Sequence, residues 1–318
     1  MMPNVLAYLR EPERSAMAFE RLAADHVGVS VQVASSLAEA GPALADATIL
    51  VSIGGHLGDD AADVYRAARN LKWIQSFGTG TDNIKGHAAL DADIMVTNVH
   101  GIHGPQLSEA AFAAMLSFAR NIPQTVRNQD QRNWQRTTPT LLSGKTAAIF
   151  GIGAIATDLA PRCAAFGMRV IGISGTARDL QGFDRVYARA DFAEAVADAD
   201  YLIVLTPYTP ETHLFLGRKA FAAMKPSACL INLARGGVVD EAALLAALDT
   251  GEIAGAALDV FKTEPLPTDH PLWGHPKVMV TPHNAGFHAC YPEQAYAAVS
   301  DNIARYLSGG VAALANKV

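Results

Sequence analysis

Along the first hundred residues, short apolar runs alternate with longer stretches of helical spacing. Val5 to Leu9, Val29 to Val33, Thr48 to Ile53, Trp73 to Ser76 and Ile94 to Thr97 each read as a short buried strand. Ala-rich segments between them, such as Ser15 to Ala24 and Asp60 to Ala68, read as helices. This alternation predicts an α/β parallel sheet covered on both faces. The segment Pro105 to Arg120 then carries Leu107, Ala110, Ala111, Ala114, Met115 and Phe118 on one stripe, which predicts a long helix joining the two halves of the chain. Gln124 to Thr140 is polar apart from Trp134 and is expected to face solvent or an interface.

The alternation resumes with Ala147 to Phe150, Val170 to Ile173, Tyr201 to Leu205, Cys229 to Asn232, Gly255 to Asp259 and Val278 to Thr281. Pro207, Pro210, Pro226, Pro265, Pro267 and Pro282 punctuate the ends of these runs. The last helical pattern, Pro292 to Leu307, is expected to pack back on the first domain and make it discontinuous. The expected division is residues 1–103 with 287–318 as a substrate domain, and 104–286 as a nucleotide domain.

Between the first two strands of the second half, Phe150 runs directly into Gly151-Ile152-Gly153-Ala154-Ile155-Ala156. Ile152, Ile155, Ala156, Leu159, Cys163 and Phe166 then repeat at helical spacing. Glycines on such a strand-to-helix turn suit a phosphate, because the first helical amides have no partner within the helix and the helix dipole favours negative charge. Gly151 allows the tight turn, Gly153 lets a pyrophosphate approach, and Ala154 and Ile155 supply first-turn amides. Ala156 stands at the third fingerprint position and adds one methyl. The expected fold of this half is a Rossmann-type dinucleotide domain.

The second strand ends at Ser174, where the fingerprint places an acid for the ribose hydroxyls about 20 residues past the glycines. Gly175-Thr176-Ala177-Arg178 follows. Ser174, Thr176 and Arg178 could hold the extra phosphate of NADP by charge-assisted hydrogen bonds, which favours NADP over NAD. The alternative is that Arg178 starts a solvated loop, which leaves NAD possible.

Composition narrows the partners. At 318 residues the chain suits two domains, half of it is apolar, and only 18% is charged. A net charge of -6 with no Lys/Arg run argues against nucleic acid or a membrane surface. The N-terminus resembles no secretory leader, and no apolar run reaches the length of a membrane span. Cys163, Cys229 and Cys290 show neither disulfide nor metal spacing, so a reducing, cytoplasmic location and no metal are expected.

Ligands of open α/β sheets gather at the carboxyl ends of the strands. In the first half, two glycine-bearing loops stand there, Ser52-Ile53-Gly54-Gly55 and Ser76-Phe77-Gly78-Thr79-Gly80-Thr81-Asp82. The second could offer consecutive amides to a small anion, although an ordinary turn explains it equally well. In the second half, Arg235, Glu264 and His283 each lie just past a strand end. Singly they have ordinary explanations, as a surface cation, a loop acid and a turn histidine. Their common placement on one sheet points to a site.

The run Leu230-Ile231-Asn232-Leu233-Ala234-Arg235-Gly236-Gly237-Val238-Val239-Asp240, then Gly255-Ala256-Ala257-Leu258-Asp259-Val260-Phe261, Glu264-Pro265 and Pro282-His283, is similar to the D-isomer-specific 2-hydroxyacid dehydrogenases. The likeness is clearest from about Gly78 to Gly286. It implies two doubly wound domains, the first flavodoxin-like, and hydride transfer between nicotinamide and C2 of a small 2-oxo or 2-hydroxy acid. It also implies His283 as general acid/base, Glu264 as its carboxylate neighbour, and Arg235 as the fork for the substrate carboxylate, with the amides of Gly78, Thr79 and Gly80 on its other side. Asp259 is expected near the nicotinamide, Ala285 and Gly286 beside its ring, and Thr206 and Pro207 near the adenosine half. Thr212, Leu233 and Ala234 complete the candidate cofactor residues.

Glu264 separates the chain from formate dehydrogenases of the same superfamily, which carry glutamine there. The resemblance also suggests a homodimer built on the nucleotide domain, with Trp134 at its interface. The expected activity is that of an NAD(P)-dependent 2-oxo acid reductase of the glyoxylate/hydroxypyruvate type. Two other readings stay open: a nucleotide-sensing protein of the co-repressor kind, and a dehydrogenase of a small anion such as phosphite. Substrate side-chain preference would be set by loops near Tyr8 to Arg10, Ser52 to Gly55 and Phe77.

Overall fold

The computed structural model describes residues 3–9, 16–53, 57–82 and 84–318. Arg10, Ser15, Gly54 and Gly55, which figure in the expectations above, lie outside the described residues. The chain divides into two units, Met1–Ile102 with His288–Val318, and His103–Phe287.

Among the described residues, the first unit holds strands β1 (Asn4–Tyr8), β2 (Ser30–Ala34), β3 (Ile49–Ser52), β4 (Trp73–Ser76) and β5 (Met95–Thr97). They are parallel, in the order β2-β1-β3-β4-β5. This is the flavodoxin-like doubly wound order, whose direction of progression reverses between β1 and β3. Alternate side chains serve opposite faces. Val5 and Ala7 join Ile49, Val51 and Trp73 in one core, while Leu6 and Tyr8 join Leu50 and Ile74 in the other.

The helix Tyr291–Gly309 returns to this unit and buries Tyr291, Ala295, Tyr296, Val299 and Ile303 along one stripe. Burial of Val299 and Ile303 alone stabilises by roughly 1.5–3 kcal/mol each. Buried polar groups fix its register. Asn302 Nδ2 and Thr97 Oγ1 both donate to Gln75 Oε1, at 2.9 and 2.8 Å, and Trp73 Nε1 donates to Thr97 Oγ1 at 2.7 Å.

Among the described residues, the second unit holds β6 (Thr146–Phe150), β7 (Arg169–Ser174), β8 (Arg185–Ala188), β9 (Tyr201–Val204), β10 (Cys229–Asn232), β11 (Gly255–Leu258) and β12 (Val278–Val280). The order is β12-β11-β10-β9-β6-β7-β8, all parallel, the Rossmann arrangement with one further strand. Its central strands are buried at every position because helices cover both faces.

Three details differ from the sequence pattern. β8 was not anticipated, because only Val186 and Tyr187 of this edge strand are buried and so short a run carries little periodic signal. Phe166 leaves the buried stripe of the helix Ala154–Ala165. It is 48% exposed and packs on Phe112 with ring centroids 4.6 Å apart. The first part of the polar stretch is the helix Ile122–Asp130, beyond which Trp134 stands 92% exposed. Among the described residues no helix is long and apolar enough to cross a membrane.

Candidate active site

The carboxyl ends of the second unit's strands carry the candidate residues. At the end of β6, Gly151 takes φ +102 and donates its N–H to Ile173 O at 2.9 Å. A Cβ there would fall 2.3 Å from the Thr206 nitrogen, so the β6 and β9 loops touch backbone to backbone and only glycine fits. Gly153 is extended, caps the helix Ala154–Ala165, and has open space where a Cβ would be. Ala154 and Ile155 open that helix, and Ala156 is fully buried beneath it. A tight turn with open room over the first helical amides fits a pyrophosphate.

After β7, Ser174 Oγ donates to the Thr176 carbonyl at 2.6 Å, and Arg178 Nη1 reaches Ser174 Oγ at 3.4 Å. The fold therefore brings these three into one turn, with Thr176 and Arg178 exposed. After β9, Thr206 is buried and Pro207 exposed. Thr212, 1% exposed, spends its hydroxyl inside this loop, donating to Pro207 O at 2.8 Å and accepting from Thr209 N at 2.7 Å. It shapes the loop from within.

The loop after β10 carries Leu233, Ala234 and Arg235. Fully buried Asn232 holds it at two points, accepting from Ala234 N at 3.1 Å and donating to Arg235 O at 3.0 Å. Arg235 Nη1 donates to Ala234 O at 2.7 Å. Gly236 then packs on the loop after β11, where a Cβ would come 1.9 Å from the Phe261 carbonyl carbon. That second loop carries Glu264.

His283 follows β12 in a left-handed conformation, φ +51, which strains a residue with a Cβ. Asp259, 2% exposed, holds the turn. Its carboxylate accepts from Thr281 Oγ1 at 2.6 Å and from the N–H groups of Asn284 and Ala285, each at 3.0 Å. Its carbonyl accepts from His283 N at 2.8 Å. Gly286 completes the turn, where a Cβ would sit 3.1 Å from the His103 ring.

Thus placed, His283 Nδ1 lies 2.6 Å from Glu264 Oε2, with side chains 49% and 33% exposed. Glu264 Oε1 accepts from Phe261 N at 2.8 Å, which fixes the carboxylate. The hydrogen bond to Glu264 raises the imidazole above its ordinary pKa against the effect of burial, and the charges of Glu264 and Asp259 add to it while Arg235 opposes. Burial pushes Glu264 upward, yet hydrogen bonds from His283 and Phe261 N, with the charges of His283 and Arg235, bring it below its ordinary value. An imidazolium poised this way can deliver a proton from Nε2, since Nδ1 is committed to the carboxylate.

In the first unit, the segment after β4 has four consecutive carbonyls tied down. Phe77 O accepts from Tyr291 OH at 2.8 Å, Gly78 O from Val99 N at 3.1 Å, Thr79 O from Asn98 Nδ2 at 2.8 Å and Gly80 O from Ser76 Oγ at 3.1 Å. Gly78 N–H is itself taken up by Ser76 Oγ at 3.3 Å. In a trans peptide the N–H points opposite to the C=O, so the Thr79 and Gly80 amides face away from the groups that hold Gly78 O and Thr79 O. Such an array suits a small anion.

Sequence reasoning placed Arg235, Glu264 and His283 but missed what holds them, namely Asn232, Gly236 and the clamp formed by Asp259. It also missed Tyr291 and Asn98 behind the first-unit loop. Among the described residues no group of three His, Cys, Asp or Glu could hold a metal.

A Rossmann-ordered sheet with Gly-x-Gly at its first crossover defines a dinucleotide-binding α/β protein. The profile for the D-isomer specific 2-hydroxyacid dehydrogenase, NAD binding domain, matches residues 112–285. The chain belongs to the D-isomer specific 2-hydroxyacid dehydrogenase family. A member of that family from Aeromonas salmonicida subsp. salmonicida A449 superposes with a TM-score of 0.89 and 33% identity over 100% of this chain and 99% of its own. An NADPH-dependent glyoxylate/hydroxypyruvate reductase from Sinorhizobium meliloti, solved with NADP and sulfate, gives 0.85 and 28% over 99% and 98%. D-3-phosphoglycerate dehydrogenase of Archaeoglobus fulgidus is 38% identical over 226 residues, 70% of this chain and 43% of that enzyme. The chain spans less than half the length of the curated relatives it matches first.

Proposed function

We propose that the protein is a 2-oxo acid reductase that uses NADPH in preference to NADH and acts on a small acid such as glyoxylate or hydroxypyruvate. The observation that carries this reading is the 2.6 Å contact between His283 Nδ1 and Glu264 Oε2, held on the same sheet edge as Arg235. The dinucleotide supplies the hydride when bound. His283 protonates the developing alkoxide from Nε2, and Glu264 holds the imidazolium upright and charged. Arg235 binds and polarises the substrate through its planar fork. Of the expected Gly78, Thr79 and Gly80 amides of the first unit, those of Thr79 and Gly80 are assigned to a small carboxylate, since Gly78 N–H is held by Ser76 Oγ. Gly151, Gly153, Ala154 and Ile155 would hold the pyrophosphate, and Ser174, Thr176 and Arg178 the 2′-phosphate. Thr206, Pro207, Thr212, Leu233 and Ala234 shape the rest of the cofactor wall, with Asp259, Ala285 and Gly286 at the nicotinamide end. We also assign a homodimer through the second unit with Trp134 at the interface, so light scattering should give twice the chain mass.

A spectrophotometric panel of 2-oxo acids against NADPH and NADH tests the activity. Turnover of at least one small acid is expected, and His283→Ala should lower it by about 10² to 10⁴. A panel without turnover, or an unchanged His283→Ala variant, would refute the reading.

A further inference from the structure

Glu241 opens the helix Glu241–Thr250, yet the ordinary duty of a residue there is already discharged. Asp240 caps the helix, its Oδ1 accepting from Ala242 N and Ala243 N at 3.1 Å each. The Glu241 carboxylate turns instead to two other segments. Oε1 accepts from Lys262 N at 2.8 Å, and Oε2 lies 3.5 Å from His270 Nε2. Leu272 N donates to His270 Nδ1 at 3.3 Å, so the neutral ring carries its proton on Nε2 and points it at Glu241. The two side chains are only 16% and 21% exposed, while the Lys262 N–H bond itself lies at the surface.

The peptide that Glu241 grips is the one on which Gly236 rests. A Cβ on Gly236 would fall 1.9 Å from Phe261 C, 2.1 Å from its oxygen and 2.4 Å from Lys262 N. Neighbouring amides along this loop therefore serve two acids, Phe261 N donating to Glu264 and Lys262 N to Glu241. We propose that Glu241 is a positioning residue that locks the Phe261–Lys262 peptide against Gly236 and so sets the distance from the Arg235 loop to the Glu264–His283 pair. The proposal rests on reading that pair as the acid/base of the site. It requires reach to Lys262 N, not charge. An amide oxygen accepts from Lys262 N as a carboxylate does, but the amide NH₂ then meets the Nε2–H of His270, so both variants are also compared in a His270→Ala background, where that contact is absent.

Reach and charge are separated by two variants of the full chain. Glu241→Gln keeps the length and loses the charge, whereas Glu241→Asp keeps the charge, suits a helix start and is one methylene too short. The first readout is the His283 imidazole titration by NMR, its signal identified by loss in His283→Gln. It needs no substrate, so it remains valid if the assigned reaction is wrong. Glu264, Asp259 and Arg235 are the charged groups that set this titration. Glu241→Asp should lower the His283 midpoint, and Glu241→Gln should keep it.

The second readout is reduction of the acid that the wild type turns over. Glu241→Asp should lose on the order of tenfold to a hundredfold, as expected for an ångström-scale displacement, while Glu241→Gln stays within a few-fold. Circular dichroism confirms that both variants fold. The proposal is overturned if Glu241→Asp titrates like the wild type, or if Glu241→Gln falls as far as Glu241→Asp. Failure of the functional reading would look different, with no turnover by the wild type but the titration contrast intact.

Discussion

Replacing Asp259 by Asn tests whether the clamp on His283 is what makes the site. The wild-type carboxylate accepts three hydrogen bonds, from Thr281 Oγ1 at 2.6 Å and from Asn284 N and Ala285 N at 3.0 Å, in a position only 2% exposed. An asparagine oxygen can take over the two donors on Oδ1, but its NH₂ then faces the Ala285 N–H. Two donors left facing each other in a shielded place cost about 1–3 kcal/mol. Exchanging a charged acceptor for a neutral one roughly halves the remaining two bonds, about 1–2 kcal/mol more. The left-handed conformation of His283, φ +51, costs about 1–2 kcal/mol and persists only while the clamp outweighs it. The two remaining bonds, about 0.5–1.5 kcal/mol each, are offset by the donor–donor penalty and no longer outweigh the strain, so the turn should relax and carry the imidazole from Glu264.

Displacement of that size lowers kcat/KM by about 10². The assay is steady-state reduction of the preferred 2-oxo acid across pH, beside urea unfolding. The alkaline limb assigned to His283 should also move to lower pH, because the Asp259 charge supports the imidazolium. An Asp259→Asn enzyme with kcat/KM within about twofold of the wild type and an unmoved limb would refute the reasoning.

Glu264→Gln removes the partner that raises the His283 pKa, so the alkaline limb of kcat/KM should shift to lower pH. The same variant has a stability signature. The raised His283 contributes in full below its ordinary value of 6.5 and loses its contribution as pH rises through the raised pKa. The lowered Glu264 contributes above its ordinary 4.5 and loses it as pH falls through the lowered pKa. The urea midpoint of the wild type minus that of Glu264→Gln should therefore be largest between those two values, and small because the pair is half exposed. Arg178→Ala should reduce the ratio of kcat/KM for NADPH over NADH by about tenfold or more, as loss of one charge-assisted phosphate contact implies, and an unchanged ratio would remove Arg178 from the cofactor site. Gly236→Ala forces a methyl to within 1.9 Å of the Phe261 carbonyl carbon, so the urea midpoint should fall by the equivalent of about 1–3 kcal/mol or more, with loss of turnover.

Much of the fold was legible because fully buried strands and one-faced helices leave local signals. Trp73–Ser76 and Cys229–Asn232 coincide with their apolar runs, and other strands shift by a residue or so at an end, as Ser30–Ala34 does against Val29 to Val33. The signal failed where burial is partial. β8 buries two residues, and Phe166 is apolar yet half exposed because Phe112 rather than the core receives it.

The site divides along a different line. Arg235, Glu264 and His283 could be found because each follows a strand end, and strand ends are what an apolar pattern marks. The residues that hold them act across gaps no short period spans. Asn284 N reaches Asp259 over 25 positions, Lys262 N reaches Glu241 over 21, and Tyr291 OH reaches Phe77 over 214. Asp259 shows the cost of stopping at residue type. Its resemblance to a family position suggests a place near the nicotinamide, and its hydrogen bonds add that it supports the turn that aims His283. A short-range pattern thus names the side chains that can do chemistry. The angle and distance at which they do it are set by buried acceptors whose donors lie far along the chain, and these become visible only once the sheet has brought β11 beside β12.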